Sequence, residues 1–178
     1  MPGFRALVPS VVAALLAGCS SADAPPTGPP GAAVVVHPVD GDTVVVRIGR
    51  HEESVRFIGI DTPESVSRTV PVECFGAEAK HRTAELLPPG TQVLLQRDVE
   101  ARDKYGRLLA YLTRASDGAF INLLLVEDGF AASFPFPPNT AHQTDFARAE
   151  ANAKAGRRGL WPACGGTDAP IGPVASSG

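Results

Sequence analysis

The sequence predicts an α+β domain in which helices pack on a small β-barrel. Short runs rich in β-branched residues fill the first half of the domain, and segments with helical periodicity follow them. Strands followed by helices are typical of an α+β fold. With 178 residues, 44% of them apolar and 20% charged, the chain can form one domain with flanking segments. This composition excludes a wholly disordered or fibrous chain.

The strands are predicted from β-branched runs and the turns between them. Residues 34–36 and 43–48 are such runs, and the Asp40-Gly41 dipeptide between them favours a tight turn. A third strand is predicted over residues 54–60, where apolar residues occupy both faces. Two later strands are predicted over residues 91–96 and 108–113.

Three helices are predicted from apolar residues at helical spacing and from the residues that end them. The first covers residues 74–87 and is stopped by Pro88-Pro89-Gly90. The other two cover residues 122–128 and 140–155, and each is followed directly or closely by a glycine.

The first 18 residues are predicted to be a lipoprotein signal peptide. An apolar run over residues 6–17 follows Arg5 and is too short to span a bilayer. Leu-Ala-Gly-Cys at 16–19 resembles the lipobox of bacterial lipoproteins. We therefore expect export, acylation of Cys19 and anchoring to a membrane outside the cytoplasm. The alternative is a plain secretory signal in which Cys19 is incidental.

The rest of the chain divides by composition. Residues 19–31 form a linker rich in Pro and Gly, residues 32–165 the folded domain, and residues 166–178 a tail expected to be disordered. If Cys19 is acylated, Cys74 and Cys164 remain, and an even pair in an oxidising compartment indicates one disulfide.

Charge limits how the protein could handle nucleic acid. The formal net charge is −3 and the isoelectric point is about 5.8. These values exclude binding by broad neutralisation of phosphates, which requires a basic protein. Any nucleic acid would have to bind at a local site, with a cation supplying positive charge.

Two acidic turns are the candidate cation site. Asp42 lies in the turn after the first predicted strand, and Asp61, Thr62 and Glu64 follow the third. Carboxylate and carbonyl oxygens without His or thiolate favour a hard cation, Ca²⁺ before a transition metal. Each turn taken alone is also explained by ordinary turn chemistry.

Basic side chains supply the candidate phosphate contacts. Arg56 lies in the third predicted strand between apolar neighbours and needs an anion, which is either a phosphate or a structural carboxylate partner. Residues 103–107 form a tight turn in which Gly106 permits positive φ, placing Lys104, Tyr105 and Arg107 beside a strand. A simple polar hairpin tip is the alternative for this turn.

Four motifs together resemble the thermonucleases, the staphylococcal nuclease-like family. They are VDGDT at 39–43, RFIGIDTPE at 56–64, DKYGR at 103–107 and GLW at 159–161, in matching order and spacing. The resemblance implies a five-stranded OB-type barrel with about three helices. It also implies a Ca²⁺-dependent nuclease that hydrolyses phosphodiester bonds of DNA and RNA and leaves 3′-phosphate ends. We expect it to act as a monomer.

The resemblance also implies a role for each site residue by its position in the motifs. The roles are cation ligand, action on the phosphate that is cleaved, and contact with a neighbouring phosphate. The cation ligands would be Asp42, Asp61 and the carbonyl of Thr62; the catalytic residues would be Arg56, Arg107 and the general base Glu64; Lys104 and Tyr105 would bind the neighbouring phosphate.

Two features depart from the family pattern. Phe134 and Phe136 stand where the family often has tyrosines, so stacking on a base is retained while a hydroxyl contact is lost. The insert at residues 65–73 receives no role from the sequence.

The alternative function is a catalytically silent OB-fold domain that binds nucleic acid or a protein partner. Such a domain would be expected to lose acidic or arginine positions, and all of them are present here. A solute-binding lipoprotein is a further alternative, but the chain lacks the length for two lobes.

Overall fold

The computed structural model of the protein describes residues 31–65 and 72–169. Within these residues, none of the helices combines the length and apolar character needed to cross a membrane. In chain order the elements are β1 Ala32–Asp40, β2 Thr43–Ile48, β3 His51–Phe57, β4 Ile60–Asp61, α1 Gly76–Leu86, β5 Gln92–Gln96, β6 Leu108–Arg114, α2 Ile121–Glu127, β7 Ala132–Ser133, α3 Gln143–Ala155 and α4 Leu160–Cys164.

Five strands close into a barrel in the order β1-β2-β3-β6-β5, with β5 pairing back onto β1. All neighbours are antiparallel except β3 and β6, which run parallel with Val55 opposite Leu108. Helix α1 packs against β1 of the barrel and α2 packs against β6, and α2 also contacts α1 and α3. Helix α3 packs in addition against β7 and α4. The prediction of an α+β fold built on a five-stranded OB-type barrel is confirmed, and the described residues contain four helices where about three were expected.

The core combines the inward faces of the barrel strands with the buried faces of the helices. Val44, Val46 and Val55 are fully buried on β2 and β3, as their β-branched sequence leads one to expect. The largest side chains that the helices and later strands add to this core are Tyr111, Leu112, Ile121, Leu125, Phe146 and Leu160.

The third predicted strand, residues 54–60, is interrupted in the structure. β3 ends at Phe57, and the chain turns through Gly59, whose φ of 79° is left-handed. A Cβ at Gly59 would lie 2.5 Å from the ring of Phe146, so glycine is needed for both backbone and space. After this turn β4 leaves the barrel and pairs with β7, with Asp61 opposite Ala132. The turn thereby carries Asp61 to the acidic site.

One predicted helix differs from the structure at its start, and one helix was not predicted. The first helix begins at Gly76 rather than at residue 74, because Phe75 has a left-handed φ of 72°. Helix α4 was not expected, since a five-residue segment that contains Pro162 gives no periodic signal.

A disulfide joins Cys74, just before α1, to Cys164 at the end of α4, with 5.9 Å between the two Cα atoms. Cys19, the predicted signal peptide and residues 170–178 of the predicted tail lie outside the described residues, as do residues 66–71 of the insert.

Candidate active site

The first acidic turn consists of Gly41 and Asp42, which connect β1 to β2. Asp42 is buried, and its Oδ2 accepts a hydrogen bond from the Thr62 amide at 3.2 Å. Its other oxygen, Oδ1, accepts one from the Thr43 hydroxyl at 2.9 Å. Because the Thr62 amide binds Asp42 directly, the two acidic turns predicted from the sequence are in contact.

Close packing at Gly41 allows that contact. A Cβ at this position would lie 2.6 Å from Oγ1 of Thr62 and 3.0 Å from the Cβ of Ala79 in α1. The buried Thr83, one turn further along α1, donates its hydroxyl to the Gly41 carbonyl. Helix α1 therefore packs directly against the first acidic turn and fixes its position.

Arg56 joins the two acidic turns through its guanidinium. Its Nη2 lies 3.0 Å from Oδ2 of Asp42 and 3.0 Å from Oδ1 of Asp61. Its Nη1 donates to the carbonyls of Phe57 and Ile60, each at 2.8 Å. Arg56 therefore has the carboxylate partners that the sequence analysis considered. The Arg56 side chain also borders the cleft described below.

Burial and neighbouring carboxylates raise the pKa values of two acidic residues of the acidic turns, Asp61 and Glu64. Burial raises the pKa of Asp61 to about 6, the nearby Arg56 opposes the rise, and Asp42, Asp168 and Glu73 add to it. Partial burial likewise raises the pKa of Glu64 to about 7, helped by a hydrogen bond with Asp40 and by neighbouring carboxylates. A site with this excess of negative charge favours an added cation.

The oxygens of this site suit a hard cation in kind. Asp42 and Asp61 direct carboxylate oxygens at one point, the Nη2 atom of Arg56, and no sulfur or imidazole lies among the predicted ligands. Over residues 31–65 and 72–169, however, no three or more acidic, His or Cys side chains converge as a metal-holding group. The predicted ligands, two carboxylates and the Thr62 carbonyl, therefore fit a hard cation by their chemistry, and an Arg56 nitrogen lies between the two carboxylates.

Glu64 lies on the other side of the acidic turn, beside Asp40 and Glu73. Its amide donates to Oε2 of Glu73 at 2.9 Å, and its carbonyl accepts from the Glu73 amide at 2.9 Å. Glu64 thus lies near Asp40 and Asp42 of the first acidic turn, whose negative charges act on its carboxyl group.

A cleft of about 550 Å³ extends from Arg56 to the turn at residues 103–107. In that turn Gly106 has a φ of 83°, and Asp103 accepts a 2.6 Å hydrogen bond from Nε of Arg107. The exposed Tyr105 ring has Nζ of Lys104 5.0 Å from its centre and Cζ of Arg107 5.5 Å from its centre. The four predicted phosphate-contacting residues, Arg56, Lys104, Tyr105 and Arg107, all line this one cleft.

An aromatic pair forms another part of the cleft wall. The rings of Phe134 and Phe136 are stacked with centroids 6.5 Å apart, and both are about half exposed. Buried Asn139 connects the segment that carries these rings to Glu100, another residue of the cleft. The Asn139 side chain accepts a hydrogen bond from the Glu100 amide and donates one to the Glu100 carbonyl.

Sequence reasoning missed three supporting residues. Asp40 belongs to the Asp40-Gly41 dipeptide and could have been suspected from that motif, as could Asp103 in DKYGR. No sequence motif marks Glu73, because the residues around it do not indicate that it forms hydrogen bonds with Glu64.

A closed five-stranded barrel with helices packed against it and charged turns at a cleft defines an OB-type α+β protein. Sequence comparison identifies the family. The profile of the family described as Staphylococcal nuclease homologue matches residues 54–163. This chain belongs to that family.

Individual relatives agree with this assignment. The Thermonuclease of Staphylococcus intermedius is 34% identical over 123 residues, which cover 69% of this chain and 71% of the relative. The Thermonuclease of Staphylococcus hyicus is 32% identical over 127 residues, covering 71% and 73%. The Endonuclease YncB of Bacillus subtilis (strain 168) is 34% identical over 128 residues, covering 71% and 60%.

Proposed function

We propose that this protein is a nuclease, a hydrolase that cleaves the phosphodiester bonds of DNA and RNA. One observation carries the proposal: Arg56 is held between two buried or half-buried carboxylates and borders a cleft that also presents Arg107 and Lys104. The names of the relatives, thermonuclease and endonuclease, support the same activity.

The proposed reaction depends on Ca²⁺. Asp42, Asp61 and the Thr62 carbonyl would hold the ion, and their all-oxygen chemistry supports a hard cation. When bound, the cation supplies positive charge beside the phosphate, which an acidic protein otherwise lacks. Burial raises the pKa of Asp61 despite Arg56, and Asp42, Asp168 and Glu73 add to the rise, so the carboxylates around Asp61 support binding of an added cation.

The arginines hold the phosphate and stabilise charge on its oxygens. A guanidinium offers a planar fork of N–H donors that matches two phosphate oxygens, and its charge acts most strongly in a partly desolvated cleft. Arg107 is prepared for this role because Asp103 binds its Nε and leaves the terminal nitrogens available to a substrate.

Glu64 is the proposed general base. A carboxylate can accept a proton from the attacking water, and a pKa of about 7 is well matched to proton transfer near neutral pH. Breaking the bond to the 5′ oxygen leaves the phosphate on the 3′ side, which gives the 3′-phosphate ends that we propose as products.

The remaining cleft residues hold the rest of the substrate. Lys104 and Tyr105 would contact a neighbouring phosphate, and the stacked rings of Phe134 and Phe136 offer surfaces for bases. Stacking does not require a particular base or sugar, so this cleft supports action on both DNA and RNA.

Export and membrane anchoring through Cys19 complete the proposal. The lipobox-like Leu-Ala-Gly-Cys supports acylation, and the Cys74–Cys164 disulfide supports an oxidising compartment. Mass spectrometry of membrane-associated protein should find Cys19 as the lipidated N-terminus; an unmodified Cys19 behind a different start would contradict the anchor. A monomer is expected in size-exclusion chromatography of the soluble domain.

The nuclease is tested with purified protein on single-stranded DNA and RNA, with Ca²⁺ and with a chelator. We expect cleavage only with Ca²⁺, and products that polymerase extends only after phosphatase treatment. Glu64→Gln should reduce turnover by about 10²–10⁴ while substrate binding changes little. The exposed Glu78 of α1 supplies the matched control, Glu78→Gln.

Two results would contradict this assignment. A Glu64→Gln variant that cleaves at the rate of the unmutated protein would remove Glu64 from the mechanism. Binding of Ca²⁺ and nucleic acid without any cleavage by the unmutated protein would identify a silent binding domain instead.

A further inference from the structure

Glu73 holds the backbone of Glu64 through two hydrogen bonds. The Glu73 carboxylate accepts the Glu64 amide at 2.9 Å, and the Glu73 amide donates to the Glu64 carbonyl at 2.9 Å. The two residues are nine positions apart, so these bonds close the base of the insert that received no role from the sequence. Both backbone polar groups of Glu64 are therefore fixed by one residue.

The segment that follows Glu73 supports the same backbone from a second direction. Gly76, the first residue of α1, packs so closely on the Glu64 carbonyl that a Cβ there would overlap it. Phe75 reaches this position with a left-handed φ of 72°, and its ring packs on Phe130, 5.4 Å between centroids. Residues 73–76 thus enclose the peptide of Glu64.

The disulfide fixes this segment to the rest of the fold. Cys74 is bonded to Cys164, and its amide donates to the Ala169 carbonyl at 2.8 Å. Helix α4, which carries Cys164, is anchored by fully buried Leu160, whose amide donates to Gly129 at 2.8 Å. A covalent path therefore leads from the packed helices to the residue next to Glu73.

Electrostatics makes such a fixed attachment necessary. Glu73 and Glu64 carry like charges, and Asp40 and Asp42 add to the negative field at Glu64. Like charges at short distance repel, so attraction between the two carboxylates does not hold Glu73 in place. The two hydrogen bonds to the Glu64 backbone and the disulfide oppose that repulsion.

We propose that Glu73 is a positioning residue for Glu64, and that the Cys74–Cys164 disulfide holds Glu73 in place, so that the nuclease is fully active only when the disulfide is formed. The inference rests on the proposed function, since it concerns the orientation of the proposed general base. It gives the nuclease a redox dependence: activity is low in a reducing compartment and develops where the disulfide forms.

The redox step is ordinary thiol–disulfide exchange with a dithiol. One thiolate of the dithiol attacks a sulfur of the pair, and its second thiol resolves the mixed disulfide. Two electrons and two protons pass to the protein, giving two cysteine thiols and a cyclic disulfide of the reagent. No metal or other cofactor takes part in this exchange.

The test begins with three substitutions measured at saturating Ca²⁺, well below the unfolding midpoint of each variant. Glu73→Ala should lower kcat about 10- to 100-fold with KM little changed, because a base displaced by about 1 Å loses alignment while the phosphate contacts remain. Glu73→Gln keeps an oxygen that accepts the Glu64 amide and should retain most of kcat. Glu78 is an exposed acidic residue on α1, so Glu78→Ala is the control for the loss of one negative charge at a site away from Glu64.

The disulfide is tested in the unmutated protein and in the Cys74→Ser/Cys164→Ser variant. Dithiothreitol should lower kcat of the unmutated protein by a similar factor, reoxidation should restore it, and the double variant should not respond. Combining the serine substitutions with Glu73→Ala should give little further loss, since both changes remove the same constraint. The reduction experiment also decides the matter if Glu73→Ala fails to fold.

The outcomes separate this inference from the function on which it rests. A Glu73→Ala variant with unchanged kcat, a Glu73→Gln variant as weak as Glu73→Ala, or a reduced protein with full activity would each overturn the inference alone. An unmutated oxidised protein that never cleaves nucleic acid would overturn the proposed function and this inference together.

Discussion

At the scale of single residues, the two arginines of the site have different surroundings. Arg56 is bound by two carboxylates and two carbonyls, whereas Arg107 is bound through Nε to Asp103. The sequence predicted that both contact phosphate but could not distinguish them. The difference arises from the turn at Gly59, which brings Asp61 back to Arg56.

Substitution of Arg107 by lysine tests whether the guanidinium fork matters beyond its charge. Arg107→Lys keeps the positive charge but loses the paired donors, so kcat/KM should fall by about 10²–10³. Steady-state kinetics on a single-stranded DNA substrate measures the loss. Lys104→Arg, which adds a fork in the same turn, should not lower the rate; equal rates for Arg107→Lys and the unmutated protein would show that charge alone suffices.

The raised proton affinities of Asp61 and Glu64 predict how the stability of the metal-free protein depends on pH. Their pKa values in the folded protein, about 6 and about 7, lie above their ordinary values of 3.8 and 4.5. Between about pH 4 and pH 7 the folded protein therefore binds more protons than the unfolded chain. The free energy of unfolding contributed by these groups is largest at the acidic end of this window and is lost as pH rises through it.

Thermal unfolding in the presence of a chelator measures this dependence. The unfolding midpoint of the unmutated protein should fall more steeply from about pH 5 to pH 7 than that of Glu64→Gln, because glutamine does not titrate. Equal slopes would contradict the raised pKa of Glu64. The exposed Glu78→Gln variant provides the reference slope.

At the scale of elements, the site depends on how closely α1 approaches the β1–β2 turn. The sequence predicted the turn, the helix and the acidic residues, because each has a local signal. It could not predict their contact, since the space at Gly41 and the bond from Thr83 depend on residues far apart in the chain. The same limit explains why Glu73 was missed and why a single strand was predicted over residues 54–60.

A methyl group at Gly41 should disturb this contact. Gly41→Ala would place its Cβ 2.6 Å from Oγ1 of Thr62, so the acidic turns must separate. We expect a loss of about 1–3 kcal/mol in the free energy of unfolding and reduced nuclease activity. Urea denaturation measures the first effect, and a nuclease assay over a range of Ca²⁺ concentrations measures the second. Gly166→Ala, at an open position with no Cβ neighbour within 4 Å, is the control and should change neither.

At the scale of the whole molecule, the disulfide spans most of the domain. Cys74 and Cys164 are 90 residues apart, so the bond encloses α1, the last two barrel strands and the remaining helices. The sequence predicted this pair by counting cysteines, and the structure brings them together. The number of cysteines could not indicate that the disulfide lies directly beside Glu73, which forms hydrogen bonds with the Glu64 backbone.

Removal of the disulfide should lower global stability through the unfolded state. A cross-link across about 90 residues restricts the unfolded chain, which corresponds to about 4.6 kcal/mol in chain-entropy models. The Cys74→Ser/Cys164→Ser variant should show a lower urea midpoint, and dithiothreitol should lower the midpoint of the unmutated protein to the same value. An unchanged midpoint in both would mean that the bond does not stabilise the domain.

The parallel pairing of β3 with β6 has a consequence for how quickly the chain reaches its native state. The β1-β2-β3 meander is local and can form early, whereas β3 meets β6 only after about 50 intervening residues are arranged. Closure of the barrel must therefore wait for non-local contacts, and such topologies fold on slow timescales, from roughly milliseconds to seconds. Until that step is complete, β6 cannot pair with β3, and the turn with Arg107 just before β6 is not held beside Arg56. Catalytic competence should therefore appear with the last step of folding and lag behind the formation of the meander.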